Sequence, residues 1–178
     1  MAVELARSVH WVGHLMMSFD EAHLTEKFFA SGAIGWRDEE LARVHAHFED
    51  RRAVPKFETL RALAPNCLLH LVDTQSLNPA GYQVTHWDTR ATLDGGRDYT
   101  GLLLGDYPIP VYRENMEQQV CTAWSMHTRR YSEVKWSRDG GETRRFNRLI
   151  VPLRSAPGRR DVCQVLVATH PQPRNVVS

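Results

Sequence analysis

The sequence predicts an α+β domain: a five-stranded antiparallel sheet with helices on one face, preceded by N-terminal helices. Three observations carry that prediction. Two strand-like runs, CLLHLV (67–72) and GYQVTHW (81–87), flank the turn-forming stretch TQSLNPAG. Tyr112, Met116, Val120 and Trp124 then recur every fourth residue, which places them on one helix face. Three strand-like segments follow at 130–136, 142–153 and 162–169, the last apolar on both faces and so expected at the sheet's centre. Strands with helices gathered between the second and third suggest an antiparallel sheet under a helical layer.

The elements can be justified in order. In SFDEAHLTEKFFAS (18–31), Ser18 precedes Glu21 by three places, the spacing of a capping box, and Gly32 is a stop signal. That predicts a first helix. A second begins near Asp38, carries Leu41, Val44 and Phe48 on one face, and ends at Pro55. Residues 57–63 add a short helical segment. Gly95 and Gly96 mark a bend by ordinary turn geometry, and Pro110 suits the first turn of the helix that follows. SRDGG is the turn between the third and fourth strands. The division is then a helical extension at 1–56, able to serve as a dimerisation element, a domain at 57–170, and a tail at 171–178 expected to fray.

Totals narrow the function classes. Twenty-two basic residues against 21 acidic ones leave a net charge of +1, which argues against a dedicated nucleic-acid binder. No apolar run reaches the roughly 18 residues of a membrane span, and the N-terminus lacks a signal-peptide core. Cys67, Cys121 and Cys163 are odd in number and set in apolar sequence, as reduced core thiols of a cytoplasmic protein would be.

Several stretches share a pattern. HFEDRRAVP (47–55), LAPNCLLHLVD (63–73), YQVTHWDTRA (82–91), GRDYTG (96–101) and RLIVPL (148–153) resemble, in order and spacing, the single-domain PAS-like proteins of alphaproteobacteria. Within the third, His86-Trp87-Asp88-Thr89 replaces most of the family pattern and keeps Thr89. The resemblance covers about two-thirds of the chain, 57–170. It implies a non-catalytic sensory or adaptor protein that binds a small ligand, a protein partner, or both. The order of helical preamble, two strands, helical middle and three strands agrees with that fold.

Alternation along 143–151 puts Arg144, Phe146, Arg148 and Ile150 on one face and Thr143, Arg145, Asn147, Leu149 and Val151 on the other. The arginines therefore form no single basic stripe. Arg144 and Arg145 suit surface pairing with Glu133 or Asp139. Arg148 matches the family arginine, and its planar fork suits a carboxylate or carbonyl at a pocket edge, although a structural role is favoured. The ligand-binding candidates are Trp87, Thr89, Tyr99, Tyr112, Met116, Trp124 and Arg148; core packing explains the aromatic ones equally well. Leu41, Val44 and Phe48 are the candidate homodimer stripe.

His10 with His14, and His45 with His47, have suggestive spacings, but no zinc motif is present and no metal is expected. Haem-bearing relatives make His86 and His127 the positions to test, and the cofactor stays unassigned. A rival reading is a cone-shaped isomerase or hydratase with Asp88 or Asp98 as general base. A ligand-free scaffold is the third.

Overall fold

The computed structural model describes residues 11–19, 22–30, 33–49, 56–91, 97–138, 143–154 and 162–172. Pro55, Gly32, Glu21, Gly95, Gly96, Asp139, His10 and the tail beyond residue 172 lie outside these.

Among the described residues seven strands make one sheet: β1 (Trp11–Phe19), β2 (Ala22–Phe29), β3 (Leu68–Asp73), β4 (Gln83–His86), β5 (Arg130–Arg138), β6 (Arg144–Arg154) and β7 (Val162–Pro171). Their order is β1-β2-β5-β6-β7-β3-β4, and every pairing is antiparallel. The helices are α1 (Ile34–Arg37), α2 (Glu39–His47), α3 (Phe57–Leu63) and α4 (Pro110–Met126). Asp38 caps α2, its Oδ1 accepting from the Leu41 amide at 3.0 Å. Pro110 opens α4, where a missing N–H costs nothing.

The largest correction is at the N-terminus. Instead of a helix over 18–31, a hairpin of β1 and β2 extends the sheet past five strands. Along β2, Leu24 and Glu26 are buried on the face under α4 while His23 and Lys27, of the other parity, are exposed; Phe29, at the strand's end, is buried on the opposite face. Pairing with β5 sets Lys27 opposite Glu133, Leu24 opposite Trp136 and Phe29 opposite Tyr131, contacts that outweigh the helix-like Ser18–Glu21 spacing. Because β2 pairs with β5 along eight residues, the boundary drawn at residue 56 does not divide the sheet.

Helices cover both faces, not one. Val134, Phe146, Ile150, Val165 and Val167 bury one face beneath Tyr112, Met116, Val120 and Ala123 of α4. Leu149, Val151, Leu153, Leu166 and Ala168 bury the other beneath Ile34, Leu41, Val44, Phe48 and Leu60. Both faces of β6 and β7 are thus dry, which is why RLIVPL and VCQVLVAT read as nearly continuous apolar runs. The Leu41, Val44 and Phe48 stripe is completely buried within the chain. It is core, and the expectation that it serves as a dimer face is overturned.

Candidate functional site

The sheet face under α4 carries a row of polar residues across three adjacent strands. Glu26 comes from β2, Ser132 from β5 and Arg148 from β6, with Ser132 directly opposite Arg148 in the register. Asn115 reaches them from α4. Arg148 Nη2 donates to Glu26 Oε1 at 2.6 Å and to Asn115 Oδ1 at 2.7 Å, and Nη1 meets Met116 Sδ at 3.2 Å. Ser132 Oγ donates to Glu26 Oε1 at 2.5 Å, and Asn115 Nδ2 to Glu26 Oε2 at 2.9 Å. Arg148 and Glu26 are fully buried. The carboxylate foreseen for the Arg148 fork is therefore supplied by the chain itself, at the sheet's interior and not at a pocket rim.

Tyr112 links this network to a set of rings. It stands 5.2 Å from Tyr107, which lies 4.8 Å from Tyr99 and 5.8 Å from Trp87; Trp87 and Tyr99 meet edge to face at 5.0 Å. Burial raises the Tyr112 phenol, with Arg148 opposing and Glu26 reinforcing that rise. Two donors in the set, Trp87 Nε1 and Tyr99 Oη, are buried with no hydrogen-bond partner among the described residues. A neighbouring segment folds over β4, where Leu102 O accepts from the Val84 amide at 2.9 Å and Val84 O from that of Gly101 at 2.7 Å. Gly101 takes φ +90°, a conformation that side chains resist.

Behind Trp87 sits His70, stacked on the indole at 4.0 Å. Its Nδ1 accepts from the Asp88 amide at 3.1 Å, which leaves the neutral ring's proton on Nε2. Burial drives the imidazole down to about 3, against the pull of Asp88. Asp88 is itself buried, yet it accepts from Arg90 Nε and Nη2 at 3.0 and 2.8 Å, from Arg61 Nη2 at 3.2 Å and from the Leu69 amide at 3.3 Å. Burial alone would raise the carboxyl; the Arg90 hydrogen bonds and charge prevail and hold it at about 2.

Of the seven ligand candidates, Trp87, Tyr99, Tyr112, Met116 and Arg148 fall on this one buried face. Thr89 is exposed at a turn, and Trp124 is half-buried at 6.4 Å from Tyr82, so neither joins the ring set. Glu26, Asn115, Ser132 and His70 were not foreseen. Asn115 could have been found: it lies three residues from Tyr112 on the marked helix face. Glu26 was hidden by the helical reading of its segment.

The remaining candidates disperse. His86 packs on Phe57 at 3.7 Å, and burial lowers its pKa; His127 is exposed at the left-handed cap of α4. His45 lies beside Arg129 and Glu49, and His47 on the edge of Phe48. Among the described residues no group of three potential metal ligands occurs. Cys67, Cys121 and Cys163 are free thiols, and burial raises Cys67 far above the ordinary range. Glu133 pairs with Arg37 at 3.8 Å. No described helix is long and apolar enough to cross a membrane.

On the opposite face, Asp38 joins three elements. It accepts from Asn147 Nδ2 at 2.9 Å and from His170 Nδ1 at 2.9 Å at the foot of a cleft of about 400 Å³. Arg37, Glu39, Glu40, Arg43, Pro171 and Gln172 also line it. Comparison with known proteins supplies no relative: no family model, curated protein or solved structure matches the chain.

Proposed function

We propose that this chain is a non-catalytic, cytoplasmic PAS-like sensory or adaptor protein, taking a small ligand into the ring cluster beneath α4 and passing its state on through protein contacts. The observation that carries the reading is the pair of unpartnered donors, Trp87 Nε1 and Tyr99 Oη, on rings that meet edge to face. A buried donor left unpaired costs about 1–3 kcal/mol, so a planar ligand with hydrogen-bond acceptors would recover that cost. The five strands from β3 onward, with α4 between the second and third, are consistent with the resemblance in 57–170.

The general-base alternative is disfavoured by the same geometry. Asp88 spends its oxygens on Arg90, Arg61 and the Leu69 amide, and a carboxyl near 2 is too weak a base for proton abstraction. Asp98 is exposed and bonded to the Thr100 amide at 2.8 Å, which lowers it further. A ligand-free scaffold keeps one observation in its favour, the filling of the Arg148 fork by Glu26.

Native mass spectrometry of freshly purified protein separates these readings. The expected spectrum shows one additional small-molecule mass per chain, lost in a Trp87→Phe, Tyr99→Phe variant of unchanged circular dichroism. A bare chain mass from every preparation would refute the ligand half of the proposal and leave the scaffold.

A further inference from the structure

The two edges of the sheet are built differently. β4 is four residues long, and the chain closes its outer side through the Val84 and Gly101 bonds and through Tyr82 O, which accepts from the Leu104 amide at 2.8 Å. β1 is nine residues long and pairs with β2 from Trp11↔Phe29 to Phe19↔Ala22. Among the described residues no strand lies on its other side. Such an edge leaves a row of N–H and C=O groups open to pairing, and soluble proteins ordinarily guard it with Lys, other charges or Pro. WVGHLMMSF contains no Lys, Arg, Asp, Glu or Pro; His14 is its single titratable residue.

We propose that β1 is where two copies of this chain associate, the strands pairing antiparallel about a two-fold axis at Leu15 so that the sheet runs on across the interface. A second copy suits this edge on two counts. Antiparallel self-pairing is the isologous geometry of a two-fold dimer, in which residue i meets j and j meets i. Centred on Leu15, it engages the regular part of the strand, with Gly13 opposite Met17, His14 opposite Met16 and Leu15 opposite itself, while the irregularity between Trp11 and Gly13 loosens the ends, where Trp11 falls toward Phe19. No like charges meet across the axis, a penalty that a Lys- or Glu-bearing strand would incur. The α2 stripe cannot provide the contact instead, since Leu41, Val44 and Phe48 are buried in their own chain. This inference is independent of whether the ring cluster holds a ligand.

The test uses the full chain. Light scattering coupled to size exclusion is expected to give twice the 20.4 kDa chain mass. Leu15→Lys, which sets two ammonium groups opposite one another, should weaken the dimer by about tenfold or more. Directly opposed residues in an antiparallel pair have Cα atoms about 4.5–5.5 Å apart, within disulfide reach. Leu15→Cys should therefore cross-link into a covalent dimer under mild oxidation, while Trp11→Cys, opposite Phe19, and the parent chain with its three native thiols should not. The cysteine variant carries the test if the lysine variant fails to fold. A monomeric parent chain at every concentration would overturn the proposal, as would a folded Leu15→Cys variant that cross-links no more than the parent. A monomer in which residues 1–10 and β1 are together protected from amide exchange would overturn it too, because the chain would then cover its own edge.

Discussion

Arg148 is a fully buried cation, and what it costs depends first on Glu26, the acid that neutralises it. Removing one partner of a buried pair strands the other, at about 3–5 kcal/mol, whereas replacing both by apolar groups of similar volume is often neutral. Glu26→Gln should accordingly lower the urea midpoint steeply, and Glu26→Met with Arg148→Met should restore much of it. Equal destabilisation by the single and double variants would show that the pair does not act as a unit. His70 gives a second residue-level expectation. Its folded pKa, about 3, lies below the ordinary value of 6.5, so between those limits the unfolded chain binds a proton that the native one refuses. Stability is thus complete above pH 6.5 and declines as the pH falls, by up to about 1.4 kcal/mol per unit for one proton. His45 and His86, also lowered by burial, act in the same direction, and Asp88 adds a loss only at lower pH, between its ordinary value of 3.8 and about 2. Denaturant titrations at pH 7 and pH 5 should show the decline, and His70→Gln should flatten it; a His70→Gln variant with the parent's slope would assign the effect elsewhere.

Among the elements, α2 is the one whose meaning changed most. Its periodic stripe was legible in the sequence, as was its start at Asp38, because amphipathic spacing and cap chemistry are local signals. What the stripe packs against is not local, and intramolecular burial against β6 and β7 looks the same in sequence as burial against a second chain. Val44→Asp should therefore abolish cooperative unfolding and soluble yield through an uncompensated buried charge. A folded variant with an altered elution volume would instead return α2 to the surface. The hairpin of β1 and β2 failed to show for a related reason. Lys27 stands opposite Glu133 in the register, more than a hundred residues away, and the inward Glu26 breaks the apolar alternation that would have marked a strand.

At the scale of the whole molecule, the succession of strands from β3 onward, the long α4 and the two apolar faces of β7 could all be read in advance. Those features rest on periodicity and turn chemistry. The candidate site was half legible: the rings and Arg148 were marked by residue type, but Glu26, Ser132 and Asn115 join them only through the fold. Sheet order explains why. β2 joins β5, and β3 joins β7 with Leu68 opposite Thr169, so neighbours in space are made at very different times. During translation the first four strands emerge well before the three that complete the middle of the sheet, and Glu26 leaves the ribosome long before Arg148 exists to neutralise it. A nascent chain halted short of β6 holds an unmatched acid and unpaired apolar strands, the type of intermediate that aggregates or recruits a chaperone. The centre of this protein is therefore finished last, and nothing assembled earlier can become permanent until it is.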